Sequence, residues 1–199
     1  GDADNDGVNE VVLGYGFCER SAHLIIFKYT NNYYKPVWGV DFPWDEAGEV
    51  SVDIGNVDGS GGNEVVVMNA TPSDNNPNGK IRIYKHIGGN NYQLIWSDNL
   101  SEGFRRISIG NIDNDPAEEI VIGNSFNDRT LYYYDYQGGN TWAKITIEYV
   151  GEDCFGLQVA NVDDDVQKEI VAGLGVWPPY SVRIYKYVGG SVQKIWTYS

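Results

Sequence analysis

The sequence is poor in basic residues and lacks any long apolar run. It has 14 Lys and Arg against 28 Asp and Glu, which gives a formal net charge of −14. Nucleic acids and anionic membrane surfaces both require a basic face on the protein, so the charge balance excludes them as partners. No apolar run approaches the ~20 residues of a membrane-spanning helix, which argues against insertion into a bilayer.

Cysteine and methionine are also scarce. The two cysteines, Cys18 and Cys154, are far apart and have no Cys or His neighbour at zinc-ligand spacing, which excludes a thiolate metal site. A disulfide between them and two unpaired thiols both remain open. With 1 Met, 24 Gly and 15 Tyr, the composition is typical of strands and turns rather than of helices.

What the sequence does contain is a repeated acidic segment followed by an apolar run. The first copy covers residues 2–10 and precedes Val11-Val12-Leu13-Gly14. Further copies begin at Asn56, Asn111 and Asn161, at intervals of 54, 55 and 50 residues. A period of this size indicates structural repeats. We place the repeats at residues 1–54, 55–109, 110–159 and 160–199.

Carboxylates at alternate positions of each acidic segment point toward a common centre, as a hard cation requires. Calcium takes about six to eight oxygen ligands, and the spacing predicts ligands at the first, third, fifth, seventh and ninth positions. At the seventh position of the first loop the predicted ligand is the Val8 carbonyl, and Glu10 closes the far side. The predicted ligands for up to four calcium ions are Asp2, Asp4, Asp6, Val8, Glu10, Asn56, Asp58, Ser60, Gly62, Glu64, Asn111, Asp113, Asp115, Ala117, Glu119, Asn161, Asp163, Asp165, Gln167 and Glu169.

The four loops are not equivalent. The first has all four carboxylates and a glycine, Gly7, that permits a left-handed turn. It is therefore the strongest predicted site. The second has fewer charges, which predicts weaker binding. Pro116 and Val166 stand at the glycine position of the third and fourth loops, and neither residue tolerates positive φ. Those two loops are expected either to turn differently or to have lost the ion.

Each repeat predicts four strands joined by hairpins. The strand after the acidic segment is continuously apolar, its neighbours alternate, and Asn- and Gly-rich pairs mark tight turns. Four-stranded sheets that cannot cover their own faces stack on one another. The sequence therefore predicts an all-β fold, a β-propeller-type array of four-stranded antiparallel blades in one domain over residues 1–199. The first blade lacks its inner strand.

The spacing of the acidic loop, the apolar strand that follows it and the repeat length of about 50 residues together resemble FG-GAP (VCBS-type) repeats. These repeats build the propeller of integrin α chains and occur in many secreted bacterial and archaeal proteins. The resemblance implies a calcium-binding β-propeller, a calcium loop between the innermost strand and the next, and an extracellular or cell-surface location. The closing acid also separates the pattern from an EF-hand, where it comes at the twelfth position.

The array is open as written, since no strand precedes Gly1 to complete the first blade. Three alternatives follow: an excerpt of a longer chain, a head-to-tail assembly in which a neighbouring copy supplies the strand, or a self-closed ring of four blades. We favour an excerpt or a repeating unit over the closed ring.

The variable loops opposite the acidic segments are the expected place for function. Their aromatic residues provide surfaces on which sugar rings or protein side chains can stack. These residues are Phe42, Trp44, Phe126, Trp177 and Tyr180. Trp38, Trp96 and Trp196 recur at one repeat position and are predicted to pack between strands. Two glycosylation sequons, at Asn69 and Asn99, are predicted to lie in variable loops.

No catalytic set emerges from the sequence, and His23 and His86 lack an acid partner at a useful spacing. We therefore predict a calcium-stabilised, non-catalytic extracellular module for binding or adhesion, with a protein or glycan ligand. A structural subunit of an extracellular filament is the first alternative. The propeller part of a polysaccharide lyase is the second, since some rhamnogalacturonan lyases have similar calcium-loop propellers.

Overall fold

In the computed structural model, the chain is described over residues 1–17, 21–43, 48–70, 79–100, 105–125 and 128–199. The described residues form fifteen strands. The strands are β1 (Val11–Phe17), β2 (Ser21–Thr30), β3 (Tyr33–Phe42), β4 (Glu49–Gly55), β5 (Glu64–Ala70), β6 (Gly79–Gly88), β7 (Asn91–Leu100), β8 (Arg105–Gly110), β9 (Glu119–Asn124), β10 (Thr130–Gly138), β11 (Thr141–Tyr149), β12 (Cys154–Ala160), β13 (Glu169–Leu174), β14 (Ser181–Val188) and β15 (Ser191–Tyr198). Within these ranges, no helix is long and apolar enough to cross a membrane.

The strands form four antiparallel meanders in chain order. The first sheet has three strands, β1 to β3, and the second (β4–β7), third (β8–β11) and fourth (β12–β15) have four each. The all-β class and the missing strand of the first sheet are therefore confirmed. Each complete sheet begins with the strand that precedes an acidic loop, so the sheets are offset from the sequence repeats.

A tight turn joins the last two strands of each sheet. Asn31 and Asn32 connect β2 to β3 with φ of 53° and 68°. Positive φ at both central residues matches the right-handed twist of the flanking strands, which is why Asn and Gly occur there. The predicted hairpins are confirmed.

Contacts divide the chain into two compact units, residues 1–56 with 62–104, and residues 57–61 with 105–199. The first unit contains the first and second sheets, and the second unit contains the third and fourth. A single domain over the whole chain stays a prediction, as does the propeller arrangement of the four sheets.

The first unit has a core between its two sheets. Leu24 and Ile26 from β2 are fully buried and pack with Val65 and Val67 from β5. Trp38 lies over Tyr84 and Tyr92 with ring centroids 5.3 and 5.1 Å away, so its predicted packing role is confirmed.

The second unit has its own core. Val121, Leu131 and Tyr133 of the third sheet pack with residues of the fourth sheet that include Ala172 and Tyr185. Close approach depends on Gly123, where an added Cβ would lie 2.3 Å from Cys154 Sγ. Cys154 is a buried, free thiol, and Cys18 lies outside the described residues.

The last strand of each sheet is an edge strand. In β3 this edge carries Lys35 and Pro36, in β11 it carries Lys144, and in β15 it carries Lys194. Trp196 on β15 is 48% exposed and stacks on Tyr198 at 6.3 Å. The prediction that Trp196 packs inside a blade is therefore wrong.

Several residues expected in variable loops lie elsewhere. Phe42 ends β3 and is buried, with Arg82 above its ring at 4.8 Å, so it is not a stacking surface. Asn69 lies in β5 and is fully buried, and its Oδ1 accepts a hydrogen bond of 2.6 Å from Arg82. Asn99 lies in β7 and is exposed. Trp44 and Phe126 lie outside the described residues.

Candidate metal centres and a pocket at the opposite strand ends

The acidic loops lie where the sequence pattern predicts, immediately before the second strand of each complete sheet. The third loop joins β8 to β9 and the fourth joins β12 to β13, while the first leads into β1. The second loop lies between β4 and β5, and its residues are divided between the two compact units. Its two parts are therefore described separately.

All four loops share a left-handed residue at their fourth position. The φ angles are 62° for Asn5, 66° for Gly59, 68° for Asn114 and 69° for Asp164. Asn and Asp tolerate this conformation better than most residues, so the sequence signal was the Asn, Gly or Asp at this position. Pro116 and Val166 do not adopt positive φ. The third and fourth loops therefore turn differently at this position from the first loop, where Gly7 has a φ of 88°; whether they bind an ion stays a prediction.

The closing glutamate ties the beginning of its loop to the strand that follows. One carboxylate oxygen, Oε2, accepts a hydrogen bond from the backbone N–H of the loop's second residue. The pairs are Glu10 with Ala3 at 2.8 Å, Glu119 with Ile112 at 2.7 Å and Glu169 with Val162 at 3.0 Å. All three glutamates are buried. Each therefore fixes the loop with one oxygen and keeps Oε1 for another partner.

The first predicted residue of the third and fourth loops braces the loop. Asn111 donates through Nδ2 to the Asp115 carbonyl and accepts from the Asn114 N–H at 2.6 Å. Asn161 makes the same pair of bonds with Asp165 and Asp164. In the first loop, Asp2 accepts from the backbone N–H groups of Asp6 and Gly7, at 3.1 and 2.9 Å.

The seventh residue of each of these loops donates a backbone hydrogen bond to the aspartate at the fifth position. The backbone N–H groups of Val8, Ala117 and Gln167 donate to the aspartates two residues earlier, at distances of 2.9, 2.8 and 2.8 Å. The Gln167 side chain also donates to the carbonyls of Ile112 and Tyr187, at 2.6 and 2.9 Å. The side chain of Gln167 therefore joins loops within the second unit.

In the first loop, the side chains of Asp2, Asp4 and Asp6 each place an oxygen within 4.8 Å of the others. Lys28 from β2 pairs with Asp4 and, at 2.9 Å, with Asp6. The Lys28 ammonium holds the pKa of Asp6 below its usual value. A lysine therefore supplies positive charge to this carboxylate group.

The fourth loop has the same arrangement. Asp163, Asp165 and Glu169 place oxygens within 4.8 Å of one another. Lys186 from β14 pairs with both aspartates and lies 3.1 Å from Glu169 Oε1. Hydrogen bonding by Lys186 lowers the pKa of Asp165.

The third loop differs from both. Its group joins Asp113 and Glu119 to Asp135, a residue of β10 that the loop pattern does not include. Burial, followed by the charges of Asp113 and Asp115, raises the pKa of Glu119 to about 8. The same causes, in the same order, raise the pKa of Asp135. Without a cation, the ionised forms of both carboxyls are therefore disfavoured here.

The second loop is described in two parts. In the second unit, Asp58 accepts a hydrogen bond of 2.9 Å from the Ser60 N–H. In the first unit, Glu64 is fully buried and lies 3.1 Å from Lys85 of β6. Asn56 and Gly62 also belong to the first unit.

The donor set fits a hard divalent cation. The groups consist of carboxylate oxygens, which calcium prefers to nitrogen or sulfur ligands. In the described part of the chain, Glu119 Oε1 is buried and has no hydrogen-bond partner. A buried carboxylate oxygen without a partner is costly, and a cation would satisfy it.

A pocket of about 240 Å³ lies at the far ends of β13 and β14, in the second unit. The strand β13 separates the fourth loop from this pocket by ~20 Å at the usual rise per residue. Trp177, on the pocket wall, is 80% exposed. Arg129 donates from Nε to Asp153 at 3.0 Å and from Nη1 to the Gly151 carbonyl at 3.2 Å. The pocket thus combines a flat apolar ring with fixed polar groups.

The first unit contains a histidine–carboxylate pair. His23 Nδ1 lies 2.5 Å from Asp41 Oδ1, and the His23 ring stacks on Tyr15 with a centroid separation of 4.7 Å. The expectation that His23 lacks an acid partner is wrong, because the pairing of β2 with β3 places the two residues opposite each other. Nε2 of His86 contacts the Gly89 carbonyl at 3.0 Å.

These features define the class of protein: an all-β protein built from four antiparallel sheets, with an acidic loop before the second strand of each complete sheet and before the first strand of the first sheet. The sequence matches no protein-family model and no curated protein.

The solved structures that resemble the fold include two rhamnogalacturonan lyases. One is rhamnogalacturonan lyase YesW, with a TM-score of 0.51, 14% identity and coverage of 89% of this chain and 42% of that chain. The other is the exotype rhamnogalacturonan lyase YesX, with a TM-score of 0.51, 13% identity and coverage of 89% and 41%. The chain thus spans less than half the length of either lyase. At this identity the likeness concerns the fold alone.

Proposed function

We propose that this chain is a calcium-stabilised, non-catalytic extracellular binding module of the FG-GAP/VCBS type. The observation that carries the proposal is the third acidic loop. There, Asp113, Glu119 and Asp135 converge within 4.8 Å, and the buried Glu119 Oε1 lacks a hydrogen-bond partner among the described residues. Asp113 and Glu119 would hold the ion from the loop and its closing position, and the bound ion would supply positive charge to a buried acidic group.

In this proposal the ligand binds in the pocket at the strand ends opposite the acidic loops. Trp177 presents an exposed ring beside Arg129, whose guanidinium is oriented by Asp153. An aromatic face next to fixed hydrogen-bonding groups is suited to a sugar ring or to a protein side chain. Calcium acts in this proposal as a structural ion, at the strand ends opposite the ligand.

The calcium part of the proposal is tested by thermal unfolding with calcium and with excess chelator. Saturation at one hundred times the dissociation constant stabilises a folded protein by about 2.7 kcal/mol. For a chain of this size, that corresponds to a rise of about 5–11 °C in Tm. An unchanged Tm would contradict a structural role for calcium.

The ligand part is tested by screening glycans and peptides against the wild-type chain and Trp177→Ala. Trp196→Ala is the matched control, because Trp196 is also exposed but lies on the outer strand β15. Loss of binding only in Trp177→Ala supports the pocket. Equal binding by all three proteins removes the pocket from the proposal.

We also propose, as a second candidate, that the chain is the propeller part of a polysaccharide lyase. The resemblance to YesW and YesX favours this candidate, and the pair of His23 with Asp41 offers a base for proton abstraction. Incubation with rhamnogalacturonan should then release products with unsaturated ends, and His23→Ala should abolish that release. Binding without cleavage would leave only the first proposal.

A further inference from the structure

We propose that the third loop is the principal calcium site of this chain, that Asp135 is one of its ligands, and that Lys28 and Lys186 act as resident cations in the first and fourth loops. This inference rests on the proposed calcium-binding function and specifies where the ion binds. It reverses the order expected from the loops alone, in which the first was the strongest site.

The argument starts from strand register. Glu64, which closes the second loop, pairs with Lys85 across β5 and β6. In the other sheets the strand register, continued by one residue toward the loop, sets Glu10 beside Lys28, Glu119 beside Asp135 and Glu169 beside Lys186. The residue opposite the closing glutamate is therefore lysine in three sheets and aspartate in the third.

The three lysines use this position in the same way. Lys28 pairs with Asp4 and Asp6, Lys85 lies 3.1 Å from Glu64, and Lys186 pairs with Asp163, Asp165 and Glu169. Their side chains carry an ammonium into the carboxylate group, where a metal ion would otherwise provide the positive charge. A divalent ion entering the first or fourth loop must therefore displace a lysine that belongs to the protein.

The third loop differs at this position. Among the side chains that the structure describes, no lysine or arginine pairs with Asp113, Glu119 or Asp135, and the Gln137 amide is the polar side chain that contacts Asp135, at 2.8 Å. Like charges placed directly opposite each other across two strands are destabilising. A cation between Glu119 and Asp135 converts this repulsion into attraction.

A second observation points to a ligand in the same place. Glu119 is fully buried, its Oε2 is occupied by the Ile112 N–H, and its Oε1 has no hydrogen-bond partner in the described part of the chain. Glu169 Oε1, at the equivalent position of the fourth loop, also has no hydrogen-bond partner among the described residues, but it lies 3.1 Å from the Lys186 ammonium. The partner missing from the third loop thus corresponds to the lysine of the fourth.

The test is a count of calcium ions and their affinity, by native mass spectrometry and titration calorimetry on the full chain. The wild type is expected to bind one ion tightly. Asp135→Asn should raise the dissociation constant of that ion about tenfold or more, because calcium affinity follows ligand charge. Glu118→Gln is the matched control, since it removes one acid from the same loop outside the Asp113–Glu119–Asp135 group, and should bind as the wild type does.

A reciprocal variant keeps the inference falsifiable if Asp135→Asn fails to fold. Lys186→Met removes the resident ammonium from the fourth loop and should create a second calcium site. A second site in Lys186→Met supports the inference, and an unchanged stoichiometry overturns it. Tight binding by Asp135→Asn equal to that of the wild type also overturns it, while leaving the proposed function intact. A wild type that binds no calcium refutes the proposed function itself.

Discussion

Replacement of Gly123 by alanine tests how the third and fourth sheets pack in the second unit. The new Cβ would lie 2.3 Å from Cys154 Sγ and 2.9 Å from Cys154 Cβ. Neither Gly123 nor Cys154 has room to shift freely, because both are buried. Gly173 occupies the equivalent position of β13, one repeat later, but a Cβ added there would lie 3.7 Å from its nearest neighbour, the Gly156 Cα.

The expected magnitude follows from comparing the two glycines. Both substitutions gain about 0.5–1 kcal/mol, because alanine loses less conformational freedom than glycine in a strand. Only Gly123→Ala adds an overpacking cost of about 1–3 kcal/mol. The difference between the variants isolates that cost and corresponds to a Tm lower by about 2–12 °C for Gly123→Ala.

Thermal unfolding followed by circular dichroism, in saturating calcium, measures this difference. Cys154→Ala in the Gly123→Ala background removes the nearest atom and should recover part of the lost stability. A double-mutant cycle over these variants then gives the coupling between the two positions. If Gly123→Ala unfolds at or above the temperature of Gly173→Ala, the described contact between the sheets is wrong.

Three further predictions concern ionisation, reactivity and modification. Without calcium, the raised pKa of Glu119, about 8 against an ordinary 4.5, stabilises the fold below pH 4.5 and loses that effect as pH rises toward 8. Urea midpoints in chelator should therefore fall over this range more in the wild type than in Glu119→Gln, and equal falls would contradict the assignment. Burial raises the pKa of Cys154 to about 12, so native Cys18→Ser protein should resist alkylation at neutral pH, whereas rapid labelling would refute its burial. Expression in a secretory host should place a glycan on exposed Asn99 and not on buried Asn69, as peptide mass mapping can determine.

The sheets were predictable because their signals are local. Each acidic segment, apolar run and turn pair recurs in every repeat, and strand alternation has a fixed period of two. The missing strand of the first sheet follows from the same count. The left-handed fourth position was also visible in the residues Asn5, Gly59, Asn114 and Asp164, although the glycine two positions later in the first loop is the more conspicuous signal.

The role of Asp135 was not predictable from the acidic loops. Its place beside Glu119 depends on the register of β9 with β10, which the loop sequence does not contain. The available signal was the aligned column of Lys28, Lys85, Asp135 and Lys186, where one residue has the opposite charge. Burial of Phe42 and Asn69 was missed for a different reason, since strand ends are the least certain part of a sequence-based assignment.

The edge strands β3, β11 and β15 affect how the protein associates at high concentration. An exposed strand edge is a template for pairing with another molecule, and lysine or proline on that edge discourages such pairing. Pro36 in β3 has no N–H to donate, while Lys144 in β11 and Lys194 in β15 place charge on their edges. These residues disfavour strand pairing between molecules. A chain can therefore carry several sheets of this kind without aggregating through their edges.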